Sequence, residues 1–259
     1  MFQKVRTLFN RKGSSDAPLP QEVPTIIAPE QPFYVVGDIH GCHDMLSRLL
    51  DQITSDAVGE EVLVFVGDAI DRGPHAAKVL DRLFELSHAK PQKTVTLMGN
   101  HERMMLEFID DPSDRGARWL QFGGIETLAS FGITGVSQRP DAEDALDIAD
   151  ALEAALPDGM LAWLRALPLC WRSGNVCVVH AAMDPQRSYE EQNEATLLWG
   201  HRTFFTQPRA DDLCVVHGHT IVSEPTITGG RIAIDTGAYR GGRLTAARID
   251  TDQARFLQA

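Results

Sequence analysis

At 259 residues, 43% hydrophobic and 23% charged, the chain is long enough for one large α/β domain or two small ones with a substantial core. No apolar run approaches the ~20 residues of a membrane span, and residues 1–12 carry Lys4, Arg6, Arg11 and Lys12 without the apolar core of a secretory signal, so a cytoplasmic protein is expected. A net charge of -12 speaks against a nucleic-acid-binding surface as the main function. Cys42, Cys170, Cys177 and Cys214 form no Cys-x-x-Cys pair, so free thiols are expected.

Residues 1–31 read as a tail rich in proline, glycine and serine, and the domain is expected over 32–259. Phe2, Val5, Leu8 and Phe9 fit one face of a short basic helix, which leaves two readings: a disordered leader, or a weak membrane or partner contact by residues 1–12. A strand–loop–helix pattern then repeats. Phe33–Val36 ends in Gly37-Asp38-Ile39-His40-Gly41 and is followed by a helix. Val62–Val66 ends in Gly67-Asp68-Ala69-Ile70-Asp71-Arg72-Gly73, again before a helix. Thr94–Met98 ends in Gly99-Asn100-His101-Glu102, before a third. Three such units imply a parallel or mixed sheet, α/β in class, with all three polar loops at one edge.

Residues 112–168 change character and predict a helical insertion, with helices around Asp141–Leu156 and Gly159–Leu167, capping that edge. Strands then return. Val176–Val179 ends in His180, Leu213–Val216 in His217-Gly218-His219, and Ile232–Ile234 in Asp235-Thr236-Gly237. Leu244–Ile249 reads as a closing strand.

Carboxylate, imidazole and amide oxygen are all metal-ligand types, and here they stand one after another at strand ends. A charge at the carboxyl end of a buried strand is costly unless a cation or hydrogen bonds compensate it. That edge is also where open α/β sheets bind ligands. A single carboxylate can bridge two cations ~3.5–4 Å apart, which together clamp a phosphate.

The three loop motifs, with Val179-His180-Ala181 and Gly218-His219-Thr220, resemble the calcineurin-like metallophosphoesterase signature, and more narrowly its phosphoprotein phosphatase branch. The resemblance runs from about Phe33 to Asp250. Softer segments, Trp119…Gly123-Gly124…Phe131-Gly132 and Leu197-Leu198-Trp199, are similar to bacterial members. It implies an α/β fold of mixed sheets packed as a β-sandwich and flanked by helices. It also implies two divalent metal ions, Mn²⁺ with Fe or Zn as alternatives: one held by Asp38, His40 and Asp68, the other by Asp68, Asn100, His180 and His219, with a bridging hydroxide as nucleophile. His101 matches the family's general acid, Asp71 its partner and Arg72 a phosphate-binding residue. Asn100 is also a substrate-binding candidate, and Arg202 and Tyr239 are weaker ones. Arg202 stands one residue off the expected spacing, with His201 in that place.

There are departures. His180-Ala181-Ala182 replaces the usual His-Ala-Gly, and Ile221 follows where many broader relatives carry a second histidine. His217 is read as direct, supporting or packing. Glu102 is expected to orient its loop or cap its helix. The implied activity is phosphomonoester hydrolysis on phosphoserine or phosphothreonine in proteins. The alternative is hydrolysis of dinucleoside polyphosphates or other nucleotides. A non-catalytic metal-binding scaffold is the third reading.

Overall fold

A computed structural model describes residues 26–114 and 116–259. The first half is built from β1 (Phe33–Val36), α1 (His43–Asp56), β2 (Val62–Phe65), α2 (Ala76–Ala89), β3 (Thr94–Thr96) and α3 (Asn100–Asp110). Four helices follow: α4 (Gly116–Trp119), α5 (Ile125–Ser130), α6 (Ala142–Ala155) and α7 (Met160–Arg165). The second half contains β4 (Cys170–Ser173), β5 (Val176–Val179), α8 (Glu194–Trp199), β6 (Cys214–His217), β7 (Thr226–Thr228), β8 (Arg231–Ala233), β9 (Thr245–Asp250) and β10 (Gln253–Gln258).

The strands form two five-stranded mixed sheets, in the orders β10-β9-β1-β2-β3 and β4-β5-β6-β8-β7. β1, β2 and β3 are parallel, as are β5, β6 and β8, so each sheet sends three polar loops out of one edge. The period-2 alternation of strand side chains decides what each face buries. Phe33 and Val35 point between the sheets and meet Val176, Val178 and Val216 from the other side. Tyr34 and Val36 point outward to Leu46, Leu49, Val79 and Leu83 of the covering helices. On the far side of the second sheet, Cys177, Val179 and Val215 pack against Leu197 and Phe204. Burying both faces explains why β1, β2 and β5 read as near-continuous apolar runs.

The helical segment divides in two. Trp119 to Thr127 lies against the loop after β2, with a π-turn over Leu120–Gly124 that carries Gly123 at φ 114°. α6 and α7 instead extend the outer core through Leu152, Met160 and Leu164, so they add bulk behind the sheet.

Two boundaries differ from the sequence reading. β10 continues the chain past the strand expected to close the sheet and pairs with β9 as its outer neighbour. Residues 26–31, expected in the tail, are seated: Ile27 is buried, its carbonyl accepts from Asp252 N–H at 2.7 Å, and Ala28 N–H donates to Asn175 Oδ1 at 2.7 Å. Pro29 cannot donate to a ladder, but hydrogen bonds to two hairpin turns, three of them with Asn175, hold the segment. The basic stretch 1–12 lies outside the described residues. No described helix is long and apolar enough to cross a membrane.

Candidate active site

The loops after β1 and β2 are joined by backbone bonds. Ile39 and His40 N–H both donate to the Asp68 carbonyl, at 3.0 and 2.8 Å, and Gly41 N–H donates to the Ala69 carbonyl. Glu102, in the first turn of α3, closes the loops after β2 and β3 together. Its carboxylate accepts from Asp68, Ala69 and Gly99 N–H at 2.8–2.9 Å. This is the orienting and capping role expected for Glu102. Glycine is required where backbones meet carboxylates: a Cβ on Gly99 would strike the Asp68 side chain, and one on Gly218 the Asp38 side chain. His40, Asp68, Asp71, Arg72 and His219 all take positive φ, between 45° and 69°. Left-handed backbone at non-glycine residues costs energy, and here it gathers at one edge.

Asp68 is the centre. Its Oδ2 lies 3.4 Å from His40 Nε2, and its Oδ1 lies 3.5 Å from His180 Nε2. The far nitrogens of both rings are engaged: His40 Nδ1 with the Ile70 carbonyl at 2.7 Å, His180 Nδ1 with the Val66 carbonyl at 3.0 Å. A carbonyl only accepts, so each Nδ1 carries the proton and each Nε2 turns a lone pair toward Asp68. Asn100 Oδ1 sits 2.8 Å from that His180 lone pair and 2.9 Å from His219 Nδ1. The geometry therefore draws together lone-pair donors that repel one another without a cation or proton between them. Two donor sets each lie within 4.8 Å: His40, Asp68 and His101, and Asp68, His180 and His219. Asp38, a ligand in the arrangement implied by the resemblance, lies beside these sets, and both its oxygens accept from His219 N–H at 3.1 Å.

The electrostatics agree with that convergence. Burial pushes the Asp38 carboxyl well above the usual range, and the charges of Asp235 and Asp68 push it further. Burial and Glu102 do the same to Asp68. Burial also holds His40 and His180 well below the ordinary imidazole value. Arg72 is the positive group at hand. Its Nη1 donates to His40 Nε2 at 3.0 Å and its guanidinium lies over the Tyr239 ring, so the side chain rests across the site.

Beside this cluster, His101 Nδ1 and Asp71 Oδ2 are 2.6 Å apart. Asp71 also accepts from Trp119 Nε1 at 2.9 Å and Thr127 Oγ1 at 2.6 Å. Burial pushes Asp71 up to about 8, and these donors oppose it by favouring the anion. Burial, with the charge of Arg72, pulls His101 down to about 3.

Tyr239 stands edge-on to His40, at 4.9 Å between ring centroids. Arg202 is exposed, with no hydrogen bond or ion pair among the described residues. His217 packs between Phe204 and Phe205, and its buried Nε2 has no hydrogen-bond partner among the described residues. Asp235 was visible at its strand end, but nothing in its neighbours revealed that it faces Asp38. Thr127 gave no signal at all, because it lies inside a short helix far along the chain.

The profile of the calcineurin-like phosphoesterases matches residues 31–240. The chain belongs to this family. Among relatives of this phosphoesterase, the asymmetrical bis(5'-nucleosyl)-tetraphosphatase PrpE of Halalkalibacterium halodurans is 30% identical over 84% of the chain and 89% of its own length. The symmetrical bis(5'-nucleosyl)-tetraphosphatase of Dechloromonas aromatica is 32% identical over 85% and 93%. A solved structure provisionally named a diadenosine tetraphosphatase superposes with TM-score 0.62 at 23% identity, covering 92% of the chain and 98% of its own. A Saccharomyces cerevisiae protein serine/threonine phosphatase superposes at TM-score 0.55 and 15% identity, covering 91% and 83%. The phosphoesterase is thus a phosphoric ester hydrolase with the mixed two-sheet fold that its motifs implied.

Proposed function

We propose that this phosphoesterase hydrolyses dinucleoside polyphosphates, with diadenosine tetraphosphate as the reference substrate. The observation that carries it is similarity over most of both chains to two relatives named for that reaction. It favours the nucleotide alternative over the phosphoprotein reading, which retains support only at the level of fold.

The residues at the edge fit divalent cations, because neutral imidazole lone pairs, an amide oxygen and the Asp68 carboxylate converge there. His40, Asp68, His180, His219 and Asn100 would hold them, with Asp38 beside His219. Mn²⁺ is the first choice and Fe or Zn the alternatives. When bound, such ions neutralise phosphoryl charge and make water a better nucleophile.

The chain's own groups supply the rest. Arg72 offers a guanidinium fork to phosphate oxygens, and Tyr239 beneath it fixes its plane. The His101 ring turns Nε2 toward the site while Asp71 holds Nδ1, so a proton on Nε2 is aimed at the leaving oxygen. Trp119 and Thr127 fix Asp71 in turn. Water adds across one P–O–P bridge: a new P–O bond forms, the bridge breaks, and the leaving phosphate takes the proton.

Turnover of diadenosine tetraphosphate and of a phosphoserine peptide, compared with Mn²⁺, Fe²⁺ or Zn²⁺ added, tests this. The nucleotide should be preferred by at least tenfold in kcat/KM. Preference for the peptide returns the protein-phosphatase reading. Intact, metal-loaded protein that turns over neither returns the scaffold reading.

A further inference from the structure

Eight large hydrophobic residues are exposed among the described residues, and four of them border the active edge: Phe122, Trp199, Phe205 and Ile221. Two of these share one cation. The Arg118 guanidinium lies 4.5 Å from the Trp199 ring centre and 5.7 Å from that of Phe122. Each ring is tied to a different half of the site. Phe122 adjoins Gly123, whose backbone rests so close to Asp71 and Arg72 that a Cβ would strike them. Trp199 ends α8, whose Leu197 carbonyl accepts from Ala181 N–H, next to His180, at 2.8 Å. The three side chains therefore bridge the loop carrying Arg72 and the loop carrying His180.

Burial is the ordinary outcome for such rings. Trp119, only three residues before Phe122, is fully buried, yet Trp199 is 37% and Phe122 47% exposed. Arg118 is itself exposed and makes no ion pair among the described residues, in a chain of net charge -12. Two exposed rings around one guanidinium that has no ion pair among the described residues, on segments tied to the Arg72 and His180 loops, match the chemistry of a nucleobase attached to phosphate. Bases stack on aromatic faces and on guanidinium planes regardless of sequence.

The geometry points to a nucleobase platform: an adenine of the bound nucleotide stacks on Trp199 and Phe122, with Arg118 drawing its phosphates toward Arg72. This rests on the nucleotide reading above and adds to it the residues that recognise the nucleoside. Trp199 and Phe122 are binding residues here, and neither touches the bond that breaks.

The test is calorimetric titration of the metal-loaded protein with AMP and, separately, with inorganic phosphate, for wild type, Trp199→Ala, Trp199→Phe and Phe122→Ala. Trp199→Ala should weaken AMP binding roughly tenfold and phosphate binding far less, and Trp199→Phe should restore most of the loss. In turnover, the ratio of kcat/KM for diadenosine tetraphosphate to that for inorganic tripolyphosphate should fall about tenfold in Trp199→Ala, mainly through KM. Unchanged AMP affinity in both alanine variants, equal losses for AMP and phosphate, or a wild type that does not bind AMP each overturn the platform. The two readings fail separately. If the wild type cleaves phosphopeptides and not diadenosine tetraphosphate, the proposed reaction falls, and the AMP titration still judges the platform.

Discussion

The two ends of the first sheet each gather charge, and they resolve it in opposite ways. Below β1, at the far end of α1, Asp56 receives both guanidinium nitrogens of Arg255 at 2.5–2.6 Å and is approached by Arg248 at 3.5 Å. Arg248 also pairs with Glu61 and Asp250. The Arg255 hydrogen bonds and that of Tyr34 pull Asp56 down to about 2. Above β1, Asp38 and Asp68 are held by backbone N–H groups and pushed up. One end is neutralised by the chain itself. The other is packed with acceptors for positive charge from outside. A carboxylate cluster whose nearby protein cation, Arg72, bonds to His40 and makes no ion pair with Asp38 or Asp68 is the kind of arrangement that marks a ligand site.

The largest expected break in that contrast comes from Asp68→Asn. Turnover of diadenosine tetraphosphate should fall on the order of 10³-fold. The metal-free variant should melt no lower than wild type, since an uncompensated buried charge has gone. A clear drop in its Tm would mean that Asp68 is structural, like Asp56.

His101→Asn should cost about 10²-fold or more on a phosphomonoester with an alkoxide leaving group. The loss should be smaller on the phosphoanhydride, whose leaving phosphate needs a proton less. Equal losses on both substrates would remove His101 from the proton transfer.

At the other end the ranking reverses. Asp56→Asn should leave turnover intact and lower stability by about 1 kcal/mol, read from urea unfolding, because Arg255 and Arg248 lose their partner. A stable variant would show that this network contributes little.

The smallest effect is a titration. The folded value of Asp56 lies below its ordinary 3.8, so its stabilisation is full above that value and is lost as pH falls toward about 2. The Tm of wild type should drop over that window more steeply than the Tm of Asp56→Asn. Parallel curves would assign acid unfolding to other carboxylates.

The strand-end loops were legible because their chemistry is local. Gly-Asp, Gly-Asn and Gly-His steps after apolar runs announce a polar loop leaving a buried strand, and three in register place all of them at one edge. β10 was not legible, because Gln253–Gln258 mixes polar and apolar residues at an outer edge that buries little. The seating of residues 26–31 rests on hydrogen bonds with Asn175, Ser173 and Asp252, partners more than a hundred residues away.

The sheet edge, the order of the donors along it and the glycines without which backbone and carboxylate would collide are all written in local pattern. How those donors share their work came from the folded chain. It turned Asp38 to the His219 backbone, laid Arg72 on Tyr239, left Arg202 in solvent, put His217 between two phenyl rings and fixed Asp71 with Trp119 and Thr127. The physical reason is range. A motif fixes which group leaves each strand, but what that group meets depends on loops from the other sheet and from the helical segment. Those meetings are set by packing between residues distant in the chain, and no local pattern records them.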